Sequence, residues 1–394
     1  MAGRRRKRRD ESDPAGGPLR GQRLVQPLLK ALKRLHHRGA ERDAAGNRRL
    51  FYDQYVALLL MYFFNPALDS LRALQQATGW EKTRQALGIE RSSLGSLSEA
   101  ARVFDAEPLR AILQELAAQA VPLAQGREAE ALKGLTAVDG SIFAALPRMA
   151  WALWQDAQHR GVKLHLHFDV LKAVPADAAV RVAAGSEPAA LAAALQSGRL
   201  YVVDRGYADY ELFAQIVAAG SSLIARVKDN IAYVVQEERP VGAAAKAAGV
   251  VRDVVLSRLG TAHHKDHLKR PMRLVIVRTA DREGRTTELW LITDRLDLDA
   301  ELVALAYRYR WTVELFFRWL KCILGARHLI AHNPNGVALQ MYAALIVSLL
   351  IVLRTGHKPT KRTLEMIQHY LLGWVSDQEF DAHVAALSAA EKTK

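Results

Sequence analysis

Apolar positions along this chain change their period twice. From about residue 23 to 130 they recur at helical spacing. The stretch YVALLLMYFFNPALDSLRALQQATGW reads as a buried helix, a break at Asn65-Pro66 and a second helix. ALGIERSSLGSLSEAARVF follows, punctuated by Gly88 and with Ser93 or Ser96 as a cap, and residues 106–130 read as one further helix. Short helices around a glycine turn fit a helix-turn-helix and a small helical bundle equally. At about 132 short strands take over. One lies in 133–143 and ends near Asp139; 163–170 (KLHLHFDV) alternates; AVRVAA is a third. The helix EPAALAAALQ leads to LYVVDRGY, a buried strand ending at Asp204. The helix YELFAQIVAAG, with Gly220 as its C-cap, then leads to the strand SSLIARVK. Four more strands are expected in 229–295: IAYVVQEE, VVRDVVLSRL, MRLVIVRT and ELWLITDR.

Helical spacing returns after 295. Asp299 is placed to N-cap a helix with Glu301 in its first turn, running from about 300 to 324. At roughly 100° per residue, Tyr307, Arg310, Glu314 and Lys321 share an arc of about 60°. Leu305, Phe316, Trp319, Leu320 and Ile323 take the opposite face, and Trp311 sits beside the polar one. A solvated face with intrahelical ion pairs produces such a pattern. So does a site built on a carboxylate flanked by two cations and a phenol. Residues 337–353 form the longest apolar run, at the short limit for a membrane span and with Gln340 inside; a buried core helix is the expectation.

Composition narrows the class. The chain has 394 residues, half of them hydrophobic and 24% charged, which is globular. Its formal net charge of +14 suits a polyanion, nucleic acid first and a membrane surface second. Residues 1–50 carry 15 Lys/Arg against 5 Asp/Glu. The opening MAGRRRKRR has no apolar stretch behind it and is not a secretory signal; it fits a solvated tail or a nonspecific DNA-contacting arm. The single cysteine, Cys322, rules out an internal disulfide and a multi-cysteine zinc site and fits a reducing compartment. His36-His37, His165/His167 and His263-His264 lack partners for a metal site and read as surface or strand residues.

Three short strands, a helix, a strand, a helix and a strand is the order of a ribonuclease-H-like fold, in which the first and fourth strands are neighbours. Asp139 and Asp204 at their ends, with Glu314 from a helix packed across that sheet edge, would then converge. Each aspartate alone reads as a strand-end cap or turn former. Three carboxylates together repel, and cations relieve them. Such hard oxygen ligands suit two Mg²⁺ or Mn²⁺ ions that act on phosphodiesters.

Three motifs carry a family resemblance from about residue 132 to 330. Asp139-Gly-Ser, Asp204-Arg205-Gly206-Tyr207 and the spacing Tyr307-x2-Arg310-x3-Glu314-x6-Lys321 resemble, in order, the motifs of insertion-sequence transposases of the Asp-Asp-Glu type, in the fourth insertion-sequence family. The resemblance implies that Asp139, Asp204 and Glu314 are catalytic and hold two Mg²⁺ (or Mn²⁺) ions. It implies DNA contacts from Tyr307, Arg310, Lys321, Arg205 and Arg226. Trp290 is where the family stacks a tryptophan on a displaced base, though a core tryptophan on a strand fits as well; Trp311 has the same two readings.

The implied architecture is α/β. It has a basic tail and linker (1–22), a helical DNA-binding domain (23–131), a ribonuclease-H-like core (132–228), a β-rich insertion (229–295), a catalytic-core helix (296–330) and a helical C-terminal region (331–394). The implied function is cut-and-paste DNA transposition through a hairpin, on double-stranded transposon ends and target DNA. A homodimer in the synaptic complex, no membrane, and a cytoplasmic, nucleoid-associated setting in a bacterium go with it. A nuclease without strand transfer and a catalytically inactive DNA-binding regulator are the alternatives.

Overall fold

Helical spacing in the first third yields α1 (Gln22–Lys33), α2 (Tyr52–Phe64), α3 (Leu71–Ala77), α4 (Glu81–Leu87), α5 (Leu94–Val103), α6 (Glu107–Gln119) and α7 (Arg127–Ala131). The computed structural model describes residues 22–37, 48–146, 148–152, 160–261, 270–280 and 283–392. The basic tail up to residue 21 and His263-His264 lie outside the described residues. Local chemistry sets the helix ends. Ser93, not Ser96, caps α5 by accepting from the Ser96 N–H, and Gly88 ends α4 in the left-handed region at φ 61°. The single helix expected over 106–130 is two, because Pro122 and Gly126 interrupt it between α6 and α7.

The strands are β1 (Leu135–Ala144), β2 (Gly161–Asp169), β3 (Val174–Val182), β4 (Leu200–Val203), β5 (Ser222–Val227), β6 (Tyr233–Glu238), β7 (Val250–Leu259), β8 (Met272–Ala280) and β9 (Thr286–Thr293). They form one nine-stranded sheet in the order β3-β2-β1-β4-β5-β9-β8-β7-β6. β1 runs parallel to β4, and β4 parallel to β5, joined through α8 (Glu187–Ala192) and α9 (Tyr210–Ala218). The strands of 229–295, with α10 (Ala243–Ala247) among them, lie in sequence where an insertion was expected. In space they are not a separate layer: β9 pairs antiparallel with β5, so they lengthen the central sheet.

Asp139 does not close its strand, as the apolar run ending there suggested. It sits mid-strand, opposite Leu166, and β1 continues to Ala144 because Ser141, Ile142 and Phe143 still pair with β2. Asp204 does follow directly on β4.

The expected helix over 300–324 is broken twice. α11 (Ala300–Tyr309) and α12 (Trp311–Arg318) meet at Arg310, whose N–H bonds tightly back to the Tyr307 carbonyl. After α12, Trp319–Ile323 form a π turn, with the Leu324 N–H reaching the Trp319 carbonyl. A uniform 100° step therefore does not hold from Tyr307 to Lys321. Asp299 stands at the N-cap position, but its side chain makes no cap bond and pairs instead with Arg127. Nor does this helix cover a sheet edge. α11 lies on the middle of the sheet, and α12 packs against β1.

Among the described residues, three clusters form the core. One sits between the sheet and α8 and α9; a second lies under α11. The largest joins α2, α5, α6, α12 and β2 to α13 (Pro334–Thr355), followed by α14 (Lys361–Leu371) and α15 (Asp377–Lys392). Segments far apart in sequence thus share one interior. Arg110 of α6 adds a bidentate ion pair to Asp177 of β3, at 2.8 and 2.9 Å. α13 is long and apolar enough to cross a membrane, yet 89% of its most apolar window is buried in the protein. Leu349, fully buried there, tests this packing. Leu349→Ala is expected to lower stability by about 2–5 kcal/mol in urea unfolding, and an unchanged midpoint contradicts the placement.

Candidate active site on the sheet face under α12

Strand parity sets which side chains share a face. Ala137 of β1 is level with Val202 of β4 in the parallel register. Asp139 and Asp204 each lie two residues further on, so both stand at one level toward α11 and α12. α12 lays Val313, Phe316 and Phe317 into the largest core cluster, with the Phe316 ring 4.9 Å from that of Phe168. That packing presents Glu314 to the same region.

The carboxylates are arranged differently. Asp139 is half-buried, and its Oδ1 accepts the Gly140 N–H at 2.8 Å. Asp204 Oδ1 accepts the Gly206 N–H at 2.8 Å and so fixes the turn after β4. Glu314 Oε1 accepts from Arg310 Nη2 at 2.7 Å. Burial pushes the Asp139 carboxyl up to about 6; the Gly140 N–H and Arg310 oppose this, and the charges of Asp204 and Glu314 add to it. The three acids are therefore electrostatic neighbours.

The cations are held close. Arg310 is almost covered, lies 5.8 Å from the Tyr307 ring and 5.9 Å from the Trp311 ring, and leaves its buried Nε without a hydrogen-bond partner. Lys321 reaches over the Phe143 ring and donates to the Ile142 carbonyl at 2.6 Å, its ammonium pushed down by burial. Tyr307 is buried, which raises its phenol; Arg310 and then Arg226 act on it in the opposite sense, so Arg226 of β5 belongs to the same neighbourhood. The face expected to be polar is thus turned to the sheet rather than to solvent. Within the stretch the exposed large apolar side chains are Trp311, Leu315 and Ile323, although Ile323 was expected on the covered face; the π turn shifts it outward.

Two predicted residues stand apart. Arg205 is exposed beside Asp204. Trp290 does not join the carboxylates. It pairs with Val227, and parity places both on the opposite sheet face, where the indole meets Tyr233 at 5.9 Å. That is the core position its alternative reading described. Glu187 and Lys163, which the sequence did not single out, form a half-buried ion pair against Gly140 and Gly206. Only the alternation of KLHLHFDV, with Lys163 and His165 on the side away from its leucines, hinted at polar business there.

Among the described residues, no group of three or more His, Cys, Asp or Glu side chains is close enough to hold a metal ion as it stands. The chemistry of the donors nevertheless fits a hard divalent cation. They are carboxylate oxygens, mutually repelling, one of them driven toward protonation by burial. Glu314 meanwhile spends its Oε1 on Arg310.

A family profile described as "Transposase DDE domain" matches residues 130–350. A protein named as a transposase in Sinorhizobium fredii is 31% identical over 197 residues, 49% of this chain and 53% of that protein. One named as a transposase for an insertion sequence element in Geobacillus stearothermophilus is 27% identical over 215 residues, 55% and 54% of the two chains. The chain thus spans about half the length of the curated relatives it matches. Among solved structures, a piggyBac transposase synaptic complex with hairpin DNA covers 93% of this chain and 83% of its own, at 11% identity and a TM-score of 0.41, too distant to bear on the site.

The raised Asp139 has a consequence for stability. Its folded-state value lies above the unfolded one, so the folded protein binds more protons between about pH 4 and 6 and loses stability as pH rises through that window. Asp139→Asn is expected to raise stability at pH 7 without divalent metal, by on the order of 1–2 kcal/mol, and little at pH 3.5. Equal effects at both pH values contradict the assignment.

Proposed function

The chain belongs to the transposase DDE domain family, and on that premise we propose that it is a DNA transposase that cleaves and rejoins phosphodiesters at the ends of an insertion sequence. The observation that carries this reading is the level placement of Asp139 and Asp204 on adjacent parallel strands, with Glu314 brought over them by α12. The strand order β3-β2-β1-β4-β5 supports a ribonuclease-H-like core. In this reading the core comprises 132–228 and 296–330, the strands of 229–295 are its insertion, and the helices of 23–131 recognise terminal inverted repeats.

Asp139, Asp204 and Glu314 are the residues that would hold Mg²⁺ or Mn²⁺. When bound, two such ions supply the charge that activates a water or 3′-hydroxyl and stabilises the leaving oxygen. The protein's own groups do the rest. Arg310 releases Glu314 and turns its guanidinium to a backbone phosphate, a role its unpartnered Nε suits. Lys321, already half-desolvated, places a point charge beside the scissile phosphate. Arg226 and Tyr307 line the approach from β5 and α11, and Arg205 meets DNA from the exposed turn. Trp311, with a 59% exposed indole beside the carboxylates, offers a stacking surface for an unpaired base during hairpin formation. Trp290 remains in the same role only if the DNA wraps to the other sheet face. Both ends must be held at once, so the working assembly is a homodimer or larger, acting on double-stranded DNA in the bacterial cytoplasm at the nucleoid.

A duplex carrying the element's terminal inverted repeat tests the reading. Nicking that leaves a 3′-hydroxyl is expected with Mg²⁺, none with EDTA, and a loss of at least about 10²-fold in Glu314→Gln with duplex binding retained. Joined products distinguish a transposase from a nuclease. Binding without cleavage under Mg²⁺ and Mn²⁺ overturns the catalytic assignment and leaves a DNA-binding regulator.

A further inference from the structure

Successive residues of β1 face opposite sides of the sheet, so Gly140 turns away from the carboxylates, toward α8. Its missing side chain leaves a space, and β2 and α8 fill it. A methyl group on Gly140 would fall 2.6 Å from Lys163 Cε, 3.2 Å from Glu187 Oε1 and 3.4 Å from His165 Nδ1. Gly206 meets the same carboxylate. A methyl there would fall 2.8 Å from Glu187 Oε2 and 3.1 Å from Asp204 Oδ1. Glu187 therefore touches the residue after Asp139 with one oxygen and the residue whose N–H holds Asp204 with the other. It is not free to wander. Lys163 donates to its Oε1, both side chains are largely covered, and Ser186 caps the helix start that carries it. The Tyr207 phenol, buried without a hydrogen-bond partner, feels Glu187 before it feels Asp139 or Asp204.

We propose that Glu187, anchored by Lys163, is a positioning residue: its carboxylate is wedged between the backbones of Gly140 and Gly206 and sets the separation and aim of Asp139 and Asp204. The inference rests on the reading of those aspartates as metal ligands. It also gives one cause for both glycines. Neither needs an unusual backbone angle; each makes room for the same carboxylate. The wedge acts from the α8 face of the sheet, opposite the one to which Asp139 turns. It resembles in logic the outer partners that orient metal ligands elsewhere, whose loss weakens metal binding without removing a ligand.

The test is the Mn²⁺ concentration that half-saturates the rise in Tm of the whole chain, a readout independent of turnover. Glu187→Gln keeps the shape and loses the charge; Lys163→Met removes the anchor from the other side. Each is expected to raise the Mn²⁺ midpoint by roughly 10–100-fold, while binding of an inverted-repeat duplex in EDTA is unchanged. Gly206→Ala, which displaces the wedge, is expected to shift it in the same direction. A merely structural pair lowers the metal-free Tm and leaves the midpoint alone, and that result in whichever variants fold overturns the proposal. Asp139→Asn separates the two levels of inference. If it abolishes the Mn²⁺ response while Glu187→Gln matches the native chain, the positioning role fails and the carboxylate site stands. If Asp139→Asn responds as the native chain does, the carboxylate site itself fails.

Discussion

Like charges gathered in a place that water only partly reaches are the constraint on which this structure turns. Burial first, and the charges of Asp204 and Glu314 after it, hold the Asp139 carboxyl up at about 6. No packed core tolerates such a group without compensation. Here the compensation is local: the Gly140 and Gly206 N–H groups, Arg310 on Glu314 and Lys321 over Phe143. The surrounding elements exist to keep these groups where they are. Parallel pairing of β1 with β4 sets two of them level, and the apolar side of α12, locked against Phe168, sets the third.

The rest of the chain buttresses that arrangement. α13 is buried at the centre of the largest core cluster and ties the N-terminal helices to the β2 side of the sheet. α8 and α9 close the opposite face, and the strands β6 to β9 widen the sheet on the β5 side while supporting α11. The break at Arg310 and the π turn at Lys321 are the places where helix geometry yields to the site. Each rotates a cation off the ideal helical position, toward the acids in one case and toward the Ile142 carbonyl in the other.

Much of this was legible in the residues. The apolar run LYVV ending at Asp204, the helical return after 299 and the adjacency of the first and fourth strands follow from period and order alone. The misreadings have physical reasons. Asp139 looked like a strand end because an acid and a glycine interrupt the apolar run, but pairing with β2 carries the strand through. The helix over 300–324 looked continuous because the backbone bonds that break it leave no trace in side-chain period. The sheet face of Trp290 depends on which strand β9 pairs with, a long-range choice that no local pattern encodes. Glu187 was invisible for the same cause: its significance is what it touches, and those partners lie 24 residues upstream, at Lys163, and in two separate places, on β1 and in the turn after β4.

The three carboxylates are proposed to converge on divalent metal. Loading the protein with Fe²⁺ in place of Mg²⁺ and adding ascorbate and peroxide generates hydroxyl radicals that cut the backbone beside the bound ion. Cuts clustered near residues 139, 204 and 314, suppressed by excess Mg²⁺ and lost in Asp204→Asn, are the predicted result. Cuts that cluster elsewhere, or a pattern indifferent to Mg²⁺ and to Asp204, contradict it.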